Sequence, residues 1–191
     1  MENIHSFDEV FDGQKVFRKV LDAMSNPGRY VSISEEADKL YGSNRSFLAL
    51  AITLIDNEVS FYAFNDTSRA KDISMLTLSE EKNIEDADFI FVCNDDELRE
   101  AVGRCKTGTL ADPQKSATII VAADGNRDKE ITIYGAGVDG KRTIKVPQIV
   151  ESAIKLRDEQ EYEYPQGIDF VFVTDSDELM CIPRLVMKEE K

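Results

Sequence analysis

The chain has 191 residues, 42% of them hydrophobic, and at this size it can bury roughly 70% of the surface its unfolded form exposes. Its 37 acidic and 23 basic residues leave a formal net charge of -14, spread along the chain rather than held in a tail. Long-range repulsion is expected to keep such a surface away from nucleic acid and anionic lipid, whose binding needs clustered Lys and Arg.

Cys93, Cys105 and Cys181 form no C-x-x-C pair and have no histidine near enough in sequence to complete a zinc set. Their odd number fits a reducing compartment. Cys93 and Cys181 lie in apolar, strand-like runs, which predicts both as core residues. Met1 to Glu9 has neither a basic region nor an apolar segment, so no signal peptide is expected there. The longest apolar stretch, Phe47 to Ile55, contains Thr53 and falls far short of the ~20 residues a membrane span needs. The expectation is one cytoplasmic domain over 1–191 with no membrane segment.

In chain order, Gln14 to Met24 reads as an amphipathic helix whose apolar stripe is Phe17, Val20, Leu21 and Met24. Asn26-Pro27-Gly28 ends it, and Arg29 to Ile33 reads as a strand. After a polar loop, Ser46 to Asp56 is apolar almost all round, the mark of a buried helix. Val59 to Phe64 is an aromatic-rich strand, and Thr67 to Leu78 a helix. Ala87 to Cys93 is a covered strand, and Asn94 with Glu97 three residues on is a capping-box signal for a helix over 95–102 ending at Gly103.

Ser116 to Ala122 is a further continuous apolar strand. Lys129 to Tyr134 and Thr143 to Val146 are short strands around a glycine-rich turn. Pro147 is placed to open a helix whose apolar face is Ile149, Val150, Ala153, Ile154 and Leu156. The last block, Tyr164 to Arg184, holds two strands. Phe170 to Val173 has the unbroken apolar run of a strand covered on both faces. The second run is broken by Pro183, which lacks a ladder donor and so marks an edge position or a strand end. Helices and strands thus intermix, which predicts a three-layer α/β sandwich around a mixed sheet, the 129–146 hairpin breaking strict alternation.

Several stretches resemble functional motifs but lack what the chemistry of each needs. Gly135-Ala136-Gly137-Val138-Asp139-Gly140 spells G-x-G-x-x-G, but a dinucleotide site needs a helix to open there, and Lys141 to Val146 reads as a strand. A tight turn is the expectation. Gly103 to Gly108 has phosphate-loop glycine spacing, yet Thr109-Leu110 replaces the Lys and Ser/Thr pair, so a helix-ending loop is expected. Asp175-Ser176-Asp177-Glu178 begins like a calcium loop, but Leu179 stands at a ligand position, which leaves a solvated turn. His5, the only histidine, falls in a terminus expected to fray, so a Ser-His or Cys-His pair is hard to arrange. Arg29, Arg45 and Arg184 sit at element ends, where they can form salt bridges or meet an anion.

Several stretches, in order along the chain, together resemble the PhnH family, a subunit of the bacterial carbon-phosphorus lyase machinery for phosphonate breakdown. They are Gln14 to Arg29, Leu48 to Asp56, Ser116-Ala117-Thr118, Gly135 to Val138, Tyr164-Pro165-Gln166-Gly167-Ile168-Asp169 and Ile182-Pro183-Arg184. Two stretches depart from the family pattern. Leu185-Val186-Met187 stands where members often carry a pair of threonines and an arginine, and Leu76-Thr77-Leu78-Ser79 where many carry His-Thr-Gly.

The resemblance implies a fold similar to the large domain of pyridoxal-phosphate transferases, without a cofactor lysine, and a homodimer that joins other core subunits. It also implies that the assembly replaces the base of a purine nucleoside triphosphate by an alkylphosphonate. No cofactor, metal or catalytic residue is expected of this chain. The candidate pocket or contact residues are Arg29, Arg45, Gly135, Gly137, Gly167, Asp169, Pro183 and Arg184. Two rival readings stay open: a free-standing enzyme or binding protein for a phosphorylated metabolite, using Arg29, Arg45 or Arg184, and an acidic scaffold unrelated to phosphonates.

Overall fold

The computed structural model of the chain describes residues 5–42, 45–64 and 66–189. Six helices are α1 (Phe11–Ser25), α2 (Ser34–Ala37), α3 (Arg45–Leu54), α4 (Thr67–Thr77), α5 (Asp95–Arg104) and α6 (Gln148–Asp158). Ten strands are β1 (Val31–Ser32), β2 (Ser60–Ala63), β3 (Glu80–Glu81), β4 (Phe89–Val92), β5 (Thr118–Ala122), β6 (Lys129–Gly135), β7 (Lys141–Val146), β8 (Asp169–Val173), β9 (Glu178–Ile182) and β10 (Val186–Lys188). A 3-10 turn spans Pro113–Lys115.

Seven strands form a mixed sheet in the order β1-β9-β8-β5-β4-β2-β3. From β8 to β3 neighbouring strands are parallel, while β9 is antiparallel to both β8 and β1. The central strands are apolar at consecutive positions because each face is covered. Phe170, Phe172, Ile119, Val121, Ile90 and Val92 join a core with α5, α6 and the second sheet. Val171, Val173, Ile120, Phe91, Leu179 and Cys181 join a core with α1, α3 and α4. Each such side chain removed from water contributes about 1.5–3 kcal/mol before entropy is counted. The outer strand β3 is instead two exposed glutamates, charges that blunt an edge against pairing with another chain.

The hairpin predicted to interrupt one mixed sheet lies outside it. β6 and β7 pair with each other, and the closing strand β10 adds to β6, giving a separate antiparallel sheet of order β10-β6-β7. Ile131, Ile133, Ile144, Val146 and Val186 pack its inner face onto the first core. β9 is not an edge strand either: β1 pairs with its first two residues, and Pro183 is the strand end the proline signal allowed. α5 runs through Gly103 to Arg104. The polar loop after β1 contains the short helix α2.

α1 also differs from its sequence reading. Its covered face is Asp12, Val16, Val20 and Ala23, while Phe17 and Leu21 of the predicted stripe are exposed. No helix among the described residues is long and apolar enough to cross a membrane.

Candidate functional site

Six of the eight candidate residues gather in one region, with Arg29 just beyond it and Arg45 at the far end of the sheet. Asp169 opens β8 and Pro183-Arg184 follows β9, so the antiparallel pairing that sets Phe170 against Ile182 brings the two together. The Asp169 carboxylate accepts from the Arg184 backbone amide at 2.8 Å and from its Nε at 3.1 and 3.3 Å, and it also pairs with Nη2. Arg184 Nη1 donates to the Pro113 carbonyl. The fork is thus filled by a carboxylate and a carbonyl, which is the geometry of a clamp. Gly167 lies against it, a Cβ there standing 3.0 Å from Arg184 Cβ.

Gly135 ends β6 and Gly137 lies in the turn that follows it, and a strand rather than a helix comes next, as a tight turn requires. Gly135 has φ +119°, and a Cβ at that position would fall 2.2 Å from the Leu185 carbonyl oxygen. A Cβ at Gly137 would fall 2.9 Å from Pro27 Cδ. The glycine turn is therefore closed between the Asn26-Pro27-Gly28 turn and the segment after Arg184. Arg142 adds a donor from Nη1 to the Pro27 carbonyl at 2.9 Å. Arg29, just beyond that turn, is largely exposed and pairs with Asp22 at 3.3 Å.

Arg45 stands at the opposite edge, at the carboxyl ends of the parallel strands, where open α/β sheets place their ligand crevices. The crossover through α4 packs on one face of the sheet and that through α5 on the other, so the winding reverses between β2 and β4. A cavity of about 360 Å³ opens beyond the ends of β4, β5 and β8, walled by Arg45, Phe47, Cys93, Asp124, Thr174 and Asp177 among others.

Arg45 is occupied there. Its Nε donates to Asp177 at 3.1 Å and its Nη1 pairs with Asp38 at 2.7 Å, while the Ser46 hydroxyl also donates to Asp177. Asp177 supplies the negative charge that the first turn of α3 favours. The expected solvated turn is thus a turn whose Asp177 is buried, with φ +55°, a conformation that Asp tolerates better than most residues. Arg69, from the first turn of α4, is also buried. It pairs with Asp66 at 3.1 Å and lies 5.1 Å over the Phe47 ring, and its Nε has no hydrogen-bond partner among the described residues.

The chemistry available at this edge is restrained. Cys93, predicted as core, follows the last residue of β4 and is exposed; only Cys105 and Cys181 are buried. The apolar run ends one residue earlier than the sequence suggested, because the Cys93 amide is taken by the Glu97 carboxylate of the capping box. Partial desolvation nevertheless pushes the Cys93 thiol up, and the Arg69 charge beside it offsets this only in part. Burial pushes Cys105 up to about 12. Neither thiol is poised as a thiolate. Asp124 is raised by burial and by the neighbouring charge of Asp175.

His5 is half-buried beside Tyr41, ring centroids 6.4 Å apart, rather than frayed. Among the described residues, no group of three or more His, Cys, Asp or Glu is placed to hold a metal ion.

Sequence reading did not single out Arg157, which stands in the last turn of α6. It is 1% exposed. Its Nη1 donates to the Pro183 carbonyl at 3.1 Å, its Nη2 to the Val186 carbonyl, and its Nε to Asp158 at 3.0 Å. Its position one turn beyond Ala153 on the apolar face was the available signal.

Comparison with known proteins agrees with the spread of these features over the whole chain. The family model described as bacterial phosphonate metabolism protein (PhnH) matches residues 5–188. HtxG of Stutzerimonas stutzeri, named as a putative C-P lyase subunit protein, is 24% identical over 172 residues, covering 90% of this chain and 83% of that protein. Alpha-D-ribose 1-methylphosphonate 5-triphosphate synthase subunit PhnH of Rhizobium meliloti (strain 1021) is 23% identical over 188 residues, covering 96% of this chain and 94% of that one.

Proposed function

The chain belongs to the family of bacterial phosphonate metabolism proteins called PhnH, and from this we propose that it is a non-autonomous subunit of a carbon-phosphorus lyase assembly in organic phosphonate catabolism. In that assembly it supports formation of a ribose 1-alkylphosphonate 5-triphosphate from a purine nucleoside triphosphate and an alkylphosphonate. The observation that carries the reading is the family match over 5–188, with two relatives that are both named as subunits.

The side chains fit a supporting role. Arg29, Arg45 and Arg184, the cations that a phosphorylated ligand would need, pair with Asp22, Asp38, Asp177 and Asp169. This weighs against the rival reading of a free-standing protein for a phosphorylated metabolite. The proposal includes a single domain acting as a cytoplasmic homodimer. It also includes a likeness of the mixed sheet and its flanking helices to the large domain of pyridoxal-phosphate transferases, with no cofactor bound.

Reconstitution tests the reading. Product should form from a purine nucleoside triphosphate and methylphosphonate when all core subunits are present. It should be lost when this chain is omitted and should not form with this chain alone. Turnover by the isolated chain, or full activity without it, would refute the proposal.

A further inference from the structure

α1 is apolar around about half its circumference, and the fold covers only part of that arc. Asp12, Val16, Val20 and Ala23 face the core. Next to them on the wheel run Val10, Phe17 and Leu21, which are 72%, 45% and 49% exposed, with half-buried Met24 beside them. Val10 immediately precedes the helix. Positions 10, 14, 17, 21 and 24 alternate steps of four and three, the seam spacing by which one helix lies in a groove of another protein, with Gln14 the one polar member. An isolated exposed leucine needs no explanation, whereas a continuous stripe of this kind marks an interaction surface.

The flank of the stripe identifies the kind of partner. In a chain of net charge -14, the outer side of α1 is locally basic. Lys15 and Arg18 are exposed; Lys15 pairs with the buried Asp12 at 3.5 Å, Arg18 has no ion pair among the described residues, and the nearby Asp22 is taken by Arg29. A two-fold pairing that laid the whole stripe on that of a second copy, whether parallel or antiparallel about its centre at Phe17, would bring the two Arg18 side chains close together, a like-charge contact that specific interfaces avoid.

Resting on the reading of the chain as an assembly subunit, we propose that α1 docks by its Val10–Phe17–Leu21 stripe into an apolar groove edged with carboxylates on a different subunit.

Co-expression of the full chain with the other core subunits of its own organism, followed by affinity capture, tests this. Phe17→Asp with Leu21→Asp should weaken capture by about 30-fold or more, as loss of central apolar anchors does. It should leave the thermal midpoint of the isolated chain within a few degrees of wild type. Arg18→Glu, which leaves the stripe intact, should weaken capture by about 3- to 10-fold at low salt and abolish the salt sensitivity of the wild-type complex.

If wild type itself is not captured, the subunit reading fails. If wild type is captured and the double variant is captured equally well, only the docking inference fails. If the double variant instead breaks a dimer of the isolated chain, a second copy occupies the stripe and the proposal is wrong. A large fall in the thermal midpoint would show that the chain's own residues cover the stripe, and would equally overturn it.

Discussion

Arg184 shows how a residue picked out as a possible anion contact serves the fold instead. Its guanidinium and backbone amide converge on Asp169, and both side chains are less than one-fifth exposed. Replacing Arg184 with Ala strands the carboxylate at the start of β8 and should cost about 2–3 kcal/mol, less than a fully buried pair because water can reach the site. Arg184→Lys should recover little of this, since an ammonium cannot span both carboxylate oxygens and the Pro113 carbonyl. Urea midpoints of the two variants check both expectations.

The glycine turn allows a sharper contrast. Gly135→Ala meets the Leu185 carbonyl at 2.2 Å in a strained backbone, whereas Gly140, at φ +65°, has nothing within 4 Å of an added Cβ. The first substitution should cost about 2 kcal/mol or more and the second about 1 kcal/mol, the penalty of the left-handed conformation alone. Equal losses would mean that the turn does not bear on the closing segment.

Among the elements, α5 is the case where sequence and structure agree most fully. Asn94 accepts from the Glu97 amide at 3.0 Å, and Glu97 reaches back to the Cys93 amide at 2.7 Å. Asn94→Ala should therefore lower stability by about 1 kcal/mol in chemical denaturation, the usual worth of a cap. The cap was legible because it is local: three residues and their side-chain oxygens determine it. The covered strands β4, β5 and β8 were legible for a related reason, since unbroken apolar runs admit few other placements.

What sequence alone could not resolve depends on neighbours distant along the chain. Whether the hairpin of β6 and β7 joins the main sheet turns on β10, some forty residues later. Which part of the wide apolar arc of α1 is covered depends on where α2, α3 and β9 lie, and that decides why Phe17 is outside and Val16 inside. The same holds for the cavity edge. Arg45 was found by its place at a helix start, but Asp177 lies 132 residues away and looked like one solvated acid among many.

At the scale of the whole molecule, charge sets the response to acid. Asp12 is held below the usual carboxylate range by Lys39, at 2.6 Å, and by the Asp8 amide. Burial of Asp88 pushes its pKa up, but Lys106 and both donors of Ser60 outweigh it and leave it lowered. A folded-state pKa below the unfolded value of about 3.9 means that the stabilisation is complete above that pH and is lost as pH falls through the folded value. Asp12 joins α1 to the segment after α2, and Asp88 joins β4 to β2 and to the loop after α5, so both pairs tie separate elements.

The net charge of -14 works in the opposite direction, because protonating exposed acids relieves repulsion as pH falls. Comparing variant with wild type at each pH removes most of that shared contribution. Asp12→Asn and Asp88→Asn should each have a lower urea midpoint than wild type at pH 7, with the gap narrowing as pH falls below about 4. A gap of constant size down to pH 3 would show that packing around the side chain, rather than the carboxylate's charge, is what each residue contributes.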